Sequence, residues 1–340
     1  MNNILERKNI YMLILALCLS FAAILIIFKY TGFQNIEYIL KINLAYVLLI
    51  LGIIFLSLLV DTLRIKELLN ELGEDLSLRY LFKFNLSTFF IAYITPFGSG
   101  ALPLTLYLMK KKHIPPNKSL MIITAKVLFS GLFFGTIPPL LLIFFRKQLE
   151  LTHTLSIFAI LISIFLLLLI VGVIYVILRP KFIIGIVNWI EGLPLFKRRN
   201  YKVYFNKARE EIYEYNKRFN ELFMVSSGGK LFFSQLLYAI VFWLLFYSIA
   251  PIILMMMNIP FSIFAVMARQ LIFYDILSYN FIPSGAGFVE VGFAGIFSNI
   301  VPHNLLGIFI AIWRFFTYYI YLILSGIGFF FTMKKQPKIK

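Results

Sequence analysis

Two helix-breaking clusters, Thr95-Pro96-Phe97-Gly98-Ser99-Gly100 and Pro283-Ser284-Gly285-Ala286-Gly287, interrupt otherwise apolar stretches of this chain. The backbone N–H and C=O groups freed by such a break find no partner in hydrocarbon. Breaks at membrane depth therefore persist only where protein or a watery cavity covers them. Each cluster is followed, in the next apolar run, by a basic residue: Lys126 after the first and Arg314 after the second. Interrupted apolar segments in corresponding halves of a chain mark a transporter built from a structural repeat, with its site at the breaks.

The stretches that hold the breaks have membrane length. Of the 340 residues, 61% are hydrophobic and 14% charged. Many apolar runs approach or exceed the roughly 20 residues that cross a bilayer, and a soluble fold cannot bury that much apolar surface. The N-terminal run, 10–28, is too long for a signal-peptide core and is followed by no small-residue cleavage site, so it reads as the first membrane helix. Cys18 is the single cysteine, which excludes an intrachain disulfide framework and a cysteine-based metal site. The net charge of +17 comes without a basic soluble domain. It reads as membrane orientation rather than nucleic-acid binding.

The expected fold is an all-α polytopic membrane protein forming a single integral domain over 1–340. Full crossings are expected at 10–28, 42–60, 119–145 (bent near Pro138-Pro139), 154–178, 231–249 and 304–333. Residues 61–83 read as a polar, helical connection. The positive-inside rule decides how the broken segments 84–109 and 261–300 sit. If each crossed fully, the later basic loops would fall on alternating sides. If each is a re-entrant helical hairpin, most of the 32 Lys and Arg fall on the cytoplasmic side, at both termini, 61–83, 110–118 and 179–230. The outer loops then keep only Lys29, Lys41, Arg146 and Lys147. Six full transmembrane helices plus two re-entrant hairpins result, arranged as an inverted repeat of 42–145 and 231–333. A multi-pass cell-membrane protein with both termini cytoplasmic is expected. Residues 179–230, with Lys197-Arg198-Arg199 and a helical stretch from Tyr201 to Phe223, read as a basic connector resting on anionic headgroups, with docking of a partner as the alternative.

The returning arm of each hairpin starts near mid-membrane, where free N–H groups and the helix dipole make an anion site. Gly98, Gly100, Gly285 and Gly287 let backbone approach a ligand closely. Ser99 and Ser284 are candidates to cap the arms or to donate to a phosphate. Lys126 and Arg314 are candidates for the cationic floor of that site, because ionisable groups at such depth face a cavity or a partner. For Lys126 the alternative is snorkelling to the interface; for Arg314 it is pairing with an acid. Arg269, Asp275 and Glu290 flank the second break. Glu290 falls in the first turn of the returning arm, where the dipole favours a carboxylate. It is placed to pair with Arg314 or Arg269 or to carry a coupling proton, and Asp275 and Arg269 are further candidates for coupling or charge pairing. The first break has Pro103 at the position equivalent to Glu290. The histidines His113, His153 and His303 lack metal-ligand spacing, and no nucleophile–base motif is evident. No cofactor, metal or catalytic residue is expected.

At these residues the chain resembles the flippase-like membrane proteins, a family that includes the transmembrane region of lysylphosphatidylglycerol synthases. Thr95 to Gly100, with Tyr107-Leu108 and the Lys110–His113 turn, is similar to the family's first signature. Ile282 to Glu290 is similar to its Pro-Gly-rich second signature, and Trp313-Arg314-Phe315-Phe316-Thr317-Tyr318 to its last-helix Arg motif. The resemblance covers nearly the whole chain and implies movement of anionic phospholipids or lipid-linked phosphate carriers between leaflets. The partners it implies are membrane lipids, with homo-oligomerisation left open. Lys126 stands where many members carry Arg, and Ala101 where many carry an acid; both differences bear on the substrate. The soluble aminoacyl-transfer domain of the full synthases is not expected, since the chain stops at Lys340. Phosphatidylglycerol lysyltransferase activity and small-anion or ion-coupled transport are the alternatives.

Overall fold

The structure, a computed structural model, describes residues 7–31, 43–149, 153–194, 201–225, 229–277 and 285–334. All regular elements among them are helical. The chain opens with α1 (Arg7–Thr31) and α2 (Leu44–Glu71). The Asn43 side chain caps α2 by accepting from the Ala45 N–H at 2.9 Å, which satisfies one of the N–H groups a helix start leaves over. The first broken segment follows as α3 (Leu78–Ile94), a single 3-10 turn at Pro96–Gly98, and α4 (Ala101–Lys110). Then come α5 (Pro116–Leu149), α6 (His153–Leu178), α7 (Pro180–Gly192) and α8 (Lys202–Asn220). The second half holds α9 (Lys230–Tyr247), α10 (Ile249–Met256), α11 (Ile263–Leu277), α12 (Phe288–Phe297) and α13 (His303–Arg314). A π turn at Phe315–Tyr319 joins α13 to α14 (Ile320–Lys334).

Among the described residues, five helical stretches are long and apolar enough to cross a membrane: Leu44–Glu71, Pro116–Phe145, Ser156–Leu178, Lys230–Met256 and His303–Lys334. They match five of the six expected crossings. The sixth falls in α1, of which Leu17–Thr31 is apolar but shorter. Large apolar side chains such as Phe158, Leu161, Phe165 and Leu168 on α6 are exposed, as a lipid-facing surface requires. The arms of the broken segments are shorter. At 1.5 Å per residue, α4 and α12 reach only about 15 Å, half of the roughly 30 Å hydrocarbon core.

Two expectations need correction. Residues 61–71 continue α2 rather than opening a polar connection, because the buried stripe Ile54, Leu58, Ile65, Leu68 keeps helical spacing past residue 60. Arg64, counted above among the cytoplasmic charges, is therefore buried. α5 runs on as one helix through Pro138-Pro139, and its backbone departs from helical φ/ψ at Phe145. Residues 179–230 also contain an additional helix, α7, which Arg209 ties to α8 through Asn188 and Glu191.

Packing sets the positions of the breaks. α3 lies along α14 in the most extensive helix contact. Gly328 makes this possible, since a Cβ there would stand 2.4 Å from the Leu86 Cβ. α2 packs on α3 and α9, and α1 packs on α12 and α13. The core around the second break is aromatic, with Phe293 stacked on Trp313 at 3.6 Å between ring centroids. The described parts of both broken segments are thereby packed among neighbouring helices, as the cost of unpaired backbone in hydrocarbon demands.

Candidate functional site

A cavity of about 490 Å³ lies where α2, α3, α5, α9 and α13 converge. One wall is aromatic, with Phe89 and Tyr93 of α3, Phe242, Trp243 and Phe246 of α9, and Tyr274 of α11. The basic side chains Arg64, Lys126 and Arg314 also line it, together with Asp61, Ser130 and Thr317. The first break contributes Thr95, Phe97 and Gly98.

Asp61 and Lys126 form an ion pair at 2.7 Å, with side-chain exposures of 4% and 27%. Lys126 Nζ also stands 3.5 Å from Asn85 Oδ1 and over the Phe89 ring. The carboxylate holds it at the cavity. Arg64, one turn further along α2, is held differently. Its guanidinium donates to Gln235 Oε1, Ser130 Oγ and the carbonyls of Ala125 and Lys126. All are neutral acceptors, and among the described residues no carboxylate forms an ion pair with it. Its nearest carboxylate is Asp61 one turn back, which acts on it electrostatically while pairing directly with Lys126, so two basic groups at the cavity share one acid.

Arg314 pairs with Glu290 at 2.8 Å, and these side chains are only 4% and 0% exposed. Glu290 accepts from Ser20 on α1 and, at 2.7 Å, from the Gly287 N–H. Ser20 in turn accepts from Tyr319 at 3.0 Å, and Arg314 stacks over the Tyr318 ring at 4.2 Å. The π turn directly after Arg314 brings Tyr318 and Tyr319 into this cluster. Single π turns recur at functional sites because the inserted residue re-aims its neighbours.

The backbone at the breaks explains their composition. Phe97 and Gly98 are left-handed, with φ of 54° and 65°; for Phe97 this costs about 1–2 kcal/mol. Thr95 Oγ1 stitches the turn, donating to the Ile91 carbonyl at 2.7 Å and accepting from the Gly100 N–H at 3.1 Å. A Cβ at Gly100 would lie 2.4 Å from Ile91 Cγ2, so glycine is needed there for close approach. Of the two roles open to Ser99, capping the arm or donating to a phosphate, the first is not taken: Gly100 stands at the cap of α4, with no side-chain cap. At the second break Gly285 and Gly287 have φ of 65° and 85°, a region that favours glycine.

Of the expected site residues, Thr95, Gly98, Lys126 and Arg314 meet at the cavity. Pro96, Ser99 and Gly100 build the turn behind them, and Glu290 and Gly287 stand behind Arg314. Pro283 and Ser284 lie outside the described residues. Arg269 and Asp275 are away from the cavity. The first donates to the Ile296 carbonyl at 2.9 Å, and the second accepts from Ser163 at 2.6 Å. Sequence reasoning missed Asp61, Arg64 and Ser20. The signal for the first two was present: Asp61 and Arg64 continue the buried stripe of Ile50, Ile54, Ser57 and Leu58. Among the described residues no group of three or more His, Cys, Asp or Glu could hold a metal ion.

Long apolar helices around two interrupted segments, with buried ion pairs at a central cavity, define a polytopic helical membrane protein with an internal polar site. The chain belongs to the lysylphosphatidylglycerol synthase TM region family, which it matches over residues 13–325. It is also similar to a protein of Archaeoglobus fulgidus described as a UPF0104 membrane protein. Identity is 25% over 336 residues, covering 96% of this chain and 98% of the relative. No solved structure matches the chain.

Proposed function

We propose that this protein moves an anionic phospholipid or a lipid-linked phosphate carrier between the leaflets of the cell membrane. The observation that carries this reading is the cavity of about 490 Å³ in which Arg64, Lys126 and Arg314 stand against an aromatic wall. Buried basic groups bind a phosphate strongly because little water competes. In this mechanism the headgroup enters the cavity and its phosphate accepts from Lys126, displacing Asp61 in part, within the positive field of Arg64. The acyl or prenyl chains remain in hydrocarbon. The segments 42–145 and 231–333 act as inverted halves that rock against each other and expose the cavity to either leaflet. Both termini face the cytoplasm, in keeping with the charge bias of the loops.

Purified protein in liposomes, with lipids labelled in one leaflet only, tests the reading. The expected result is transfer of an anionic lipid to the opposite leaflet, lost in Lys126→Gln while that variant stays folded. Ion flux without lipid transfer overturns it in favour of a small-anion or ion transporter. New lysyl-lipid in extracts of producing cells overturns it in favour of an enzyme.

A further inference from the structure

Among the described residues the buried acids are Asp61, Glu290 and Asp275, and of these Asp275, near the end of α11, stands outside the cavity clusters. Asp61 is neutralised by Lys126 and Glu290 by Arg314. No basic side chain among the described residues pairs with Asp275, and its Oδ1 has no hydrogen-bond partner there. Among the described side chains, the charged groups on the helices packed against α11 are engaged elsewhere: Lys118 of α5 by Glu74, Lys126 of α5 by Asp61, and Glu290 of α12 by Arg314. On α11 itself, Arg269 donates to the Ile296 carbonyl. The titratable neighbour of Asp275 is Tyr247 of α9, whose buried hydroxyl also has no partner among the described residues. An ionised carboxylate so placed bears a heavy desolvation cost.

The hydrogen count around Ser163 says where a proton sits. Ser163 Oγ lies 2.8 Å from the Ala159 carbonyl and 2.6 Å from Asp275 Oδ2. A hydroxyl has a single hydrogen, and it satisfies one of two acceptors. If Asp275 is ionised, two acceptors compete for that hydrogen. If Asp275 carries a proton, the carboxyl O–H donates to Ser163 and the Ser163 O–H donates to the Ala159 carbonyl, so every contact is a hydrogen bond. The cluster around Glu290 closes without an added proton: Tyr319 donates to Ser20, and Ser20 donates to the ionised, Arg314-paired carboxylate.

We propose that Asp275 holds a proton in this conformation, bridging α11 to Ser163 of α6, and that its loading from one side and release to the other couples a proton gradient to movement of the cavity. Releasing the proton leaves a charge between apolar helices, which favours separation of α6 from α11 and ties rearrangement near the second break to proton transfer. The coupling rests on the transport reading above; the location of the proton does not.

Two measurements separate the claims. Infrared difference spectroscopy of the purified protein at neutral pH should show a protonated-carboxyl band that is absent in Asp275→Asn. The Ser163→Ala variant should shift that band, which keeps the test decisive if Asp275→Asn fails to fold. An unchanged spectrum in either folded variant overturns the proton site. In liposomes with the membrane potential clamped, a gradient of one pH unit should enrich transported lipid in one leaflet by about tenfold for one coupled proton. In Asp275→Asn, lipid should still equilibrate but without enrichment. Enrichment that survives in Asp275→Asn overturns the coupling. Absence of lipid transfer in the unaltered protein overturns the transport reading and the coupling with it, while the infrared result still decides the proton.

Discussion

At the first break the acid that neutralises the basic residue comes from a long neighbouring helix, Asp61 of α2 reaching Lys126. At the second it comes from the broken segment itself, Glu290 sitting one turn inside α12 and reaching Arg314. The first pair is half open, its lysine 27% exposed at the cavity. The second is closed: Ser20, the Gly287 N–H and Tyr319 complete its shell. The difference separates two jobs for one kind of contact. A buried pair with a full hydrogen-bond shell is an expensive lock to break, since removing either partner strands the other in low dielectric. A pair with an exposed lysine can exchange its carboxylate for another anion at lower cost. The second break therefore reads as the anchor, and in the proposed mechanism the first is the face that meets substrate.

The largest expected effect is on the closed pair. Arg314→Gln should destabilise the protein by about 3–5 kcal/mol, read as a fall in the unfolding midpoint in detergent. Adding Glu290→Gln should restore part of it. If the double variant is no more stable than the single one, the stranded charge is not the cause and the anchor role fails. Arg64→Met should come next. It strips charged donors from Gln235, Ser130 and two carbonyls, at about 1–3 kcal/mol, and should weaken binding of anionic lipid as well. Lys126→Gln should cost less stability, about 1–2 kcal/mol once its partial exposure is discounted, yet abolish lipid transfer. A stability loss as large as that of Arg314→Gln would erase the distinction between open and closed pairs. Ser20→Ala is expected to have the smallest effect, about 1 kcal/mol. It should sharpen the comparison by loosening α1 from the second break while leaving Lys126 and Asp61 untouched.

Much of this arrangement was legible in the chain. The break at Pro96 to Gly100 was marked by residues that end helices for local reasons, and Lys126 and Arg314 stood out because charge in an apolar run is costly wherever the run packs. Glu290 was legible as a first-turn acid favoured by the dipole. Asp61 and Arg64 were not recognised, because a cluster of charges after residue 60 looks like the end of a crossing. Only the helical spacing of Ile54, Leu58, Asp61, Ile65 and Leu68 shows that the buried face continues. Ser20 gave no signal at all, since a serine in an apolar helix is unremarkable until its partner is known.

By itself the sequence determined the class of the protein, the apolar lengths, the break at Pro96 to Gly100 and the placing of Lys126 and Arg314 within apolar runs. These follow from side-chain hydrophobicity and backbone conformational limits, which act over a few residues. The tertiary structure decided which charge meets which. Lys126 finds Asp61 across 65 positions, Arg64 finds Gln235 across 171, and Ser20 finds Glu290 across 270. Such choices depend on which helices lie side by side, and that is set by the packing of the whole bundle, not by any local pattern.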